Sequence, residues 1–270
     1  MRILLLMLLA LLPCWSAAQE AEKEQTAQAI RLAKIEAGLL KIQLDSKPLT
    51  LVEEPVLRWS NPISGQIFGD VYVWTLDGRP EAIASIYKWF SPHTHLGTEL
   101  QSLSESGLQM TREGVTAWDT GPGMEMKPLT EVSDPHAQAF QRTRQMRSIA
   151  EQFKAKAEDR KDAGSSWFLR PLPKPIFRYQ SQNRGIVDGA MYAYCQGNTN
   201  NPEVLLLLEA QQQPDGKTKW YYGLGRQNSL RFTVYRNDQL IWDVPKLAPP
   251  WPAVTLPGNP YLVIKTEPTG

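Results

Sequence analysis

Two stretches of this chain echo one another about 120 residues apart, and this constrains its folding more than any other feature. Pro55-Val56-Leu57-Arg58-Trp59 lies over Pro175-Ile176-Phe177-Arg178-Tyr179. Gly69-Asp70-Val71-Tyr72-Val73-Trp74 lies over Gly189-Ala190-Met191-Tyr192-Ala193-Tyr194. Further on, Pro80-Glu81 matches Pro202-Glu203, Pro92 matches Pro214, Arg112 matches Arg236, and Trp118-Asp119 matches Trp242-Asp243. The order is kept and the offset drifts only by small steps at turns. Chance matches scatter their offsets, whereas a unit copied in tandem keeps them.

Each half opens with a helix candidate. Glu20 to Gly38 is rich in Ala, Glu, Lys and Gln, and Ile30, Ala33 and Ala37 keep one face. Asp134 to Ala163 is the second, with Asp134-Pro135 as its start, Gly164 as its stop and Met146, Ile149, Ala150 and Phe153 as its stripe. Strand patterns follow the first helix at Leu49–Trp59, Ile67–Leu76, Ala82–Trp89, Gly97–Leu103, Leu108–Thr111 and Val115–Asp119. They follow the second at Trp167–Leu172, Ile176–Tyr179, Ala190–Gln196, Val204–Ala210, Trp220–Gly225, Leu230–Tyr235 and Gln239–Val244. Asp77-Gly78, Pro214-Asp215-Gly216, Glu113-Gly114 and Asn237-Asp238 read as hairpin turns, which make consecutive strands antiparallel. The expectation is an α+β fold of two similar tandem units, each a helix followed by an antiparallel meander, packed as a pseudo-dimer. The Pro-rich stretches Gly121–Pro128 and Pro245–Pro260 are long enough to act as covering arms.

Arg2, the apolar run Ile3–Leu12 and the small residues Ser16-Ala17-Ala18 read as a secretory leader cleaved after Ala18. Ten apolar residues make a helix of only about 15 Å, half of a bilayer core, so the run is a leader and not an anchor. The expected organisation is a leader at 1–18, a first unit at 19–130 and a second unit with a Pro-rich C-terminal arm at 131–270. The expected location is periplasmic or extracellular, with no integral membrane segment after cleavage. Of 29 basic and 28 acidic residues, cleavage removes only Arg2, leaving 28 against 28. That balance argues against a nucleic-acid partner, whose phosphates need a basic stripe. Cys195 is then the one remaining cysteine, set in a strand-like run and read as a small buried hydrophobe.

Chemistry-bearing motifs are sparse. There is no G-x-S-x-G, no H-E-x-x-H and no phosphate loop, so no catalytic residue and no cofactor is assigned. His93-Thr94-His95 with Glu99 is a weak metal candidate, because the pair falls at or beside a hairpin tip. Glu53-Glu54 and Glu125 near Asp119 have the ordinary spacing of a solvated surface. The aromatics are more suggestive. Trp59, Tyr72, Trp74, Trp89, Tyr192 and Tyr194 form a stacking platform if exposed and core if buried, and Asn61 opens a polar loop after Trp59. Arg58 and Arg178 recur at matched places, which suggests a structural role.

The stretches Arg58-Trp59-Ser60-Asn61-Pro62 and Gly69-Asp70-Val71-Tyr72-Val73-Trp74-Thr75-Leu76-Asp77-Gly78-Arg79-Pro80-Glu81 resemble a family of secreted bacterial proteins of unassigned function, as does Pro175–Ala210. The resemblance implies export and brings no catalytic residue, cofactor or substrate. The expected function is non-enzymatic binding of a glycan, peptide or apolar ligand at a sheet face or inter-unit cleft. The alternatives are a secreted hydrolase whose site is not visible in sequence, and a structural or interaction protein of the cell envelope.

Overall fold

The computed structural model describes residues 3–158, 165–247 and 258–266, with side chains from residue 19 onward. Helix α1 (Ile3–Leu39) leads into β1 (Leu40–Leu44), β2 (Lys47–Pro48), β3 (Thr50–Leu51), β4 (Leu57–Ser60) and β5 (Gln66–Leu76). Then come β6 (Arg79–Ser91), β7 (Leu96–Ser102), β8 (Leu108–Arg112), β9 (Val115–Asp119) and β10 (Lys127–Pro128). Helix α2 (Ala139–Ala150) is followed by β11 (Phe153–Glu158), β12 (Ser166–Phe168), β13 (Arg170–Pro171), β14 (Phe177–Ser181) and β15 (Ile186–Cys195). The chain continues through β16 (Pro202–Gln212), β17 (Thr218–Arg226), β18 (Phe232–Arg236), β19 (Gln239–Val244) and β20 (Tyr261–Thr266).

This overturns the expected α+β fold of two helix-then-meander units. Among the described residues the protein is mostly β, its strands fall into four antiparallel sheets, and α-helix is confined to two elements beside one 3-10 turn at Gln182–Arg184. The strands do not run as one meander per half. In the first half β1 pairs with β8, not with its neighbours in the middle of the series, giving a four-stranded sheet β2-β1-β8-β9. The intervening strands form a six-stranded sheet, β20-β7-β6-β5-β3 with β4 also on β5. The second half has β12-β11-β18-β19 and β10-β17-β16-β15-β13 with β14 also on β15. The edge strands are exchanged: β10, at the end of the first series, pairs with β17, and β20, at the end of the second, pairs with β7.

The helix expected over 134–163 also shrinks to Ala139–Ala150. Phe153, Ala155 and Ala157 are buried and alternate with Lys154, Lys156 and Glu158, so this segment has period two and forms β11. Its composition of Ala, Lys and Glu suits a helix, but alternation places the alanines on the core. The expected helix end at Ala163-Gly164 lies outside the described residues, as do Arg2, the side chains of the leader and residues 248–257 of the second Pro-rich arm.

The layers follow from side-chain alternation. Tyr72 and Trp74 of β5 point into an outer core with Ala33, Ala37, Ile42 and Trp118, beneath α1 and the first four-stranded sheet. Val71 and Val73 point the other way, into a central core shared with Leu103, Met191, Leu205 and Leu207. Leu206 and Leu208 face a second outer core with Met146, Phe153, Trp220 and Phe232. The two six-stranded sheets therefore pack against each other, and each is backed by a helix and a four-stranded sheet. This is why β16 reads Val204-Leu205-Leu206-Leu207-Leu208 without alternation: both its faces are dry. Burying each such leucine contributes about 1.5–3 kcal/mol.

Turn chemistry fixes the registers. Asp77-Gly78, Glu113-Gly114 and Asn237-Asp238 all adopt positive φ, the geometry of tight hairpins between twisted strands. Gly78 has a second constraint, since a Cβ there would stand 2.5 Å from the Gln180 carbonyl oxygen on β14. The first half's longest hairpin thus abuts the backbone of the second half. A buried ion cluster lies at the same contact. Arg79 Nε donates to Glu209 at 2.9 Å and its Nη1 donates to Glu81 at 3.1 Å. Arg184 donates to Glu81 at 2.6 Å, and Tyr179 OH donates to Glu209 at 2.8 Å.

Candidate functional site in a cleft between the central sheets

The expected aromatic platform is not exposed. Tyr72, Trp74, Tyr192 and Tyr194 are buried in the two outer cores. Trp59 is buried over Gly69 in the central core, with its Nε1 donating to Ser85 Oγ at 3.0 Å. Burial pushes the Tyr72 and Tyr192 phenols up to about 12 and the Tyr194 phenol further up. These rings hold the fold together and offer no stacking face. Asn61 lies in the loop after β4, where its Oδ1 accepts from the Ser64 N–H, and it does not converge with them.

Trp89 and the histidine pair do come together, with Trp89 half-buried, His93 exposed and His95 buried. The Trp89 ring lies 4.7 Å from His93 and 5.5 Å from His95, and the two imidazoles are 6.0 Å apart. His95 is drawn down to about 4 by burial first, then by Lys265, His93 and Lys88. Lys88 and Lys265 repel a metal ion as well as a proton. Glu99 lies four residues along β7 from His95, about 13 Å at strand rise, too far to share a ligand sphere. Among the described residues no group of three or more His, Cys, Asp and Glu side chains is arranged to hold a metal. Glu125 is bound to Lys127 at 3.2 Å, as a surface carboxylate would be.

A cleft of about 350 Å³ opens where the edges of the two six-stranded sheets meet. Gln101 on β7 and Tyr261 on β20 form one wall, and Leu224, Gly225 and Arg226 on β17 form the other. Met124 and the Pro122-Gly123 turn lie at its base, with Trp242 and Val244 of β19 at the side. Gly225 permits the close approach, since a Cβ there would come within 3.4 Å of Leu103. The walls are mostly apolar, and the volume lies in the range of small-molecule sites.

Arg226 is the one cationic side chain among the described residues of this cleft, which also include Gln101, Glu125 and Asn259, and sequence reasoning missed it. Its side chain is buried, and its one hydrogen bond among the described residues is to a neutral group: Nη2 donates to the Pro245 carbonyl at 2.9 Å. Among the described residues its Nη1 is buried with no hydrogen-bond partner, and the neighbouring Gln101 Oε1 is likewise unsatisfied. Burial draws the guanidinium down to about 10, with only the Tyr261 phenol opposing. The other buried arginines differ: Arg79 meets two carboxylates and Arg142 meets Asp188 at 2.9 Å. An uncompensated buried cation is costly, and an anion seated beside it would relieve the cost. The available signal in sequence is the placement of an arginine at the end of the apolar strand Trp220–Gly225.

Comparison of the chain with protein-family models, curated proteins and solved structures finds no match. Among the described residues no helix is long and apolar enough to cross a membrane.

Proposed function

We propose that the protein is an exported, non-enzymatic binding protein that takes an apolar ligand with an anionic head in the cleft between the central sheets. The observation that carries this reading is Arg226, buried at a largely apolar cleft with no carboxylate hydrogen-bonded to it among the described residues; Glu125, which also lines the cleft, is paired with Lys127 at 3.2 Å. The glycan and peptide alternatives rest on exposed aromatic faces, and Trp59, Tyr72, Trp74, Tyr192 and Tyr194 are buried, leaving Trp89 half-buried beside the exposed His93. The cleft residues Gln101, Met124, Leu224, Trp242 and Tyr261 include neither a histidine nor a serine, so the hydrolase alternative has no support there. Export rests on the leader-like residues 1–18 and on the resemblance to secreted bacterial proteins. The unpaired state of Cys195 is compatible with export because, once a leader carrying Cys14 is cleaved, the buried thiol has no second cysteine in the chain to pair with.

The test is a titration with decanoate, using decanol and decyltrimethylammonium as comparators, read by calorimetry and by tryptophan fluorescence. Decanoate binds saturably and more tightly than decanol, and the cationic amphiphile binds least. Arg226→Gln weakens decanoate by about tenfold or more, equivalent to about 1.4 kcal/mol, and leaves decanol unchanged. Val244→Trp, which fills the rim without touching the charge, weakens both. Equal binding of all three amphiphiles, or none, would refute the reading.

A further inference from the structure

A second cavity, of about 280 Å³, lies on the far side of the first six-stranded sheet, beneath α1. Its walls include Glu22 and Ala29 of α1, Arg58 and Trp59 of β4, and Phe68 and Asp70 of β5. Asp70 is buried and receives both ends of the Arg58 guanidinium, at 2.8 and 3.1 Å.

The second half of the chain indicates what this space accepts. Leu40 pairs with Arg112 and Phe153 pairs with Arg236, in each case beside the β8–β9 or β18–β19 hairpin. Counting back from Leu40 and from Phe153 puts Ala29, Ala33, Glu36 and Ala37 over Arg142, Met146, Ile149 and Ala150. All eight are buried, so the two helices present the same positions to their sheets. Trp59 over Gly69 likewise corresponds to Tyr179 over Gly189. Arg58 then matches Arg178, and Phe68 matches Asp188.

In the second half the position of Ala29 carries Arg142, whose side chain fills the corresponding space. Arg142 Nε donates to Asp188 Oδ2 at 2.9 Å, and Arg178 Nη2 donates to the other oxygen, Oδ1, at 2.6 Å. One buried carboxylate thus holds two guanidinium groups, one from the strand and one from the helix. In the first half the strand arginine and a buried carboxylate are both present, the carboxylate two residues along the same face of β5. The helix arginine is replaced by a methyl group, and the cavity is what remains. Arg142 Nη1 also donates to the carbonyls of His136 and Ala137. Near the corresponding place on α1, Glu22 supplies a carboxylate at the mouth.

We propose that this cavity binds a guanidinium group from outside the chain, seated against Asp70 where Arg142 seats itself against Asp188. The field there suits a cation. Asp70 and Glu22 outnumber Arg58, and Glu54 acts on Arg58 from nearby. A carboxylate has room for a second guanidinium, because its two oxygens offer about four lone-pair sites. The Phe68 ring in the cavity wall suits the flat, weakly hydrated face of a guanidinium better than a compact ammonium.

The experiment is calorimetric titration of the full chain at low salt with methylguanidinium, free L-arginine and the capped tripeptide Gly-Arg-Gly. Methylguanidinium binds at one site, and the better of the other two probes tells whether the natural source is a free small molecule or a peptide side chain. Ala29→Arg installs the second half's arrangement. It melts at a higher temperature than the parent and loses methylguanidinium binding by about tenfold or more. Ala29→Leu blocks the same space without adding charge and also loses binding, while Asp70→Asn loses it with the space left open. No saturable binding of methylguanidinium to the parent protein, binding retained in a folded Ala29→Arg variant, or preference for acetate over methylguanidinium would each overturn the proposal.

Discussion

Replacing Arg79 by methionine tests whether the two central sheets close on a dry ion cluster. Arg79, Glu81 and Glu209 are all buried, and Arg79 binds both acids as well as the Leu103 carbonyl at 3.2 Å. Without the guanidinium, Glu209 faces only the neutral donors Tyr179 OH and Gln211 Nε2, at 2.8 and 2.6 Å. Glu81 keeps Arg184. Removing one partner of a buried pair costs about 3–5 kcal/mol. For a chain of this size that is a fall in Tm of about 6–20 °C. The pH dependence has a definite sign. Burial already pushes the Glu81 carboxyl above its ordinary value, while Arg79 and Arg184 pull it down, so loss of Arg79 raises it further. A carboxyl whose folded pKa exceeds its unfolded value stabilises the fold below the unfolded pKa, and that contribution is lost as pH rises through the folded one. The variant's deficit is therefore larger at pH 8 than at pH 5. Urea melts followed by circular dichroism at both pH values measure it, and adding Glu81→Gln and Glu209→Gln to the variant recovers most of the loss. A deficit under about 1 kcal/mol at pH 8, the size expected of exposed pairs, would refute the reasoning.

Three other outcomes follow from the same structure. Leu207→Ala, in the central core at 0% exposure, lowers stability by about 2–5 kcal/mol in the same melts; a neutral result would mean that this face is not packed. Burial pushes the Cys195 thiol up to about 12, so the native protein at pH 8 does not react with a disulfide reagent until it unfolds, and rapid stoichiometric labelling would contradict that. His95, drawn from 6.5 to about 4, is neutral at pH 7; its depressed folded pKa means stability is intact above about 6.5 and falls as pH drops towards 4. An NMR titration of the His95 ring with a midpoint near 6.5 would disprove the burial.

Local rules in the sequence reach much of this structure and stop at the long-range pairings. The hairpins at Asp77-Gly78, Glu113-Gly114 and Asn237-Asp238 are legible because positive φ selects Gly, Asn and Asp. The opposed faces of β5 are legible because alternation separates Tyr72 and Trp74 from Val71 and Val73. The division of each half into two sheets is not, because it depends on Leu40 finding Arg112 across more than sixty intervening residues. The Ala–Lys run at 153–158 misleads because its composition favours a helix and only its period of two favours a strand. Aromatic residues mark strands without saying which face is wet, so Tyr192 and Tyr194 stay open to a platform even though strand aromatics are usually core. Neither cavity follows from spacing. Arg226 is distinctive only because no acid among the described residues is hydrogen-bonded to it, and Ala29 only because Arg142 stands in its place in the other half.

The most direct test is a map of where decanoate binds, by 1H–15N correlation spectra of the full chain. Shift changes should concentrate on Gln101, Leu224, Gly225 and the Arg226 and Trp242 side-chain N–H groups, and Arg226→Gln should abolish them at the same ligand concentration. Changes centred elsewhere, or an Arg226 side chain indifferent to the carboxylate, would contradict the account.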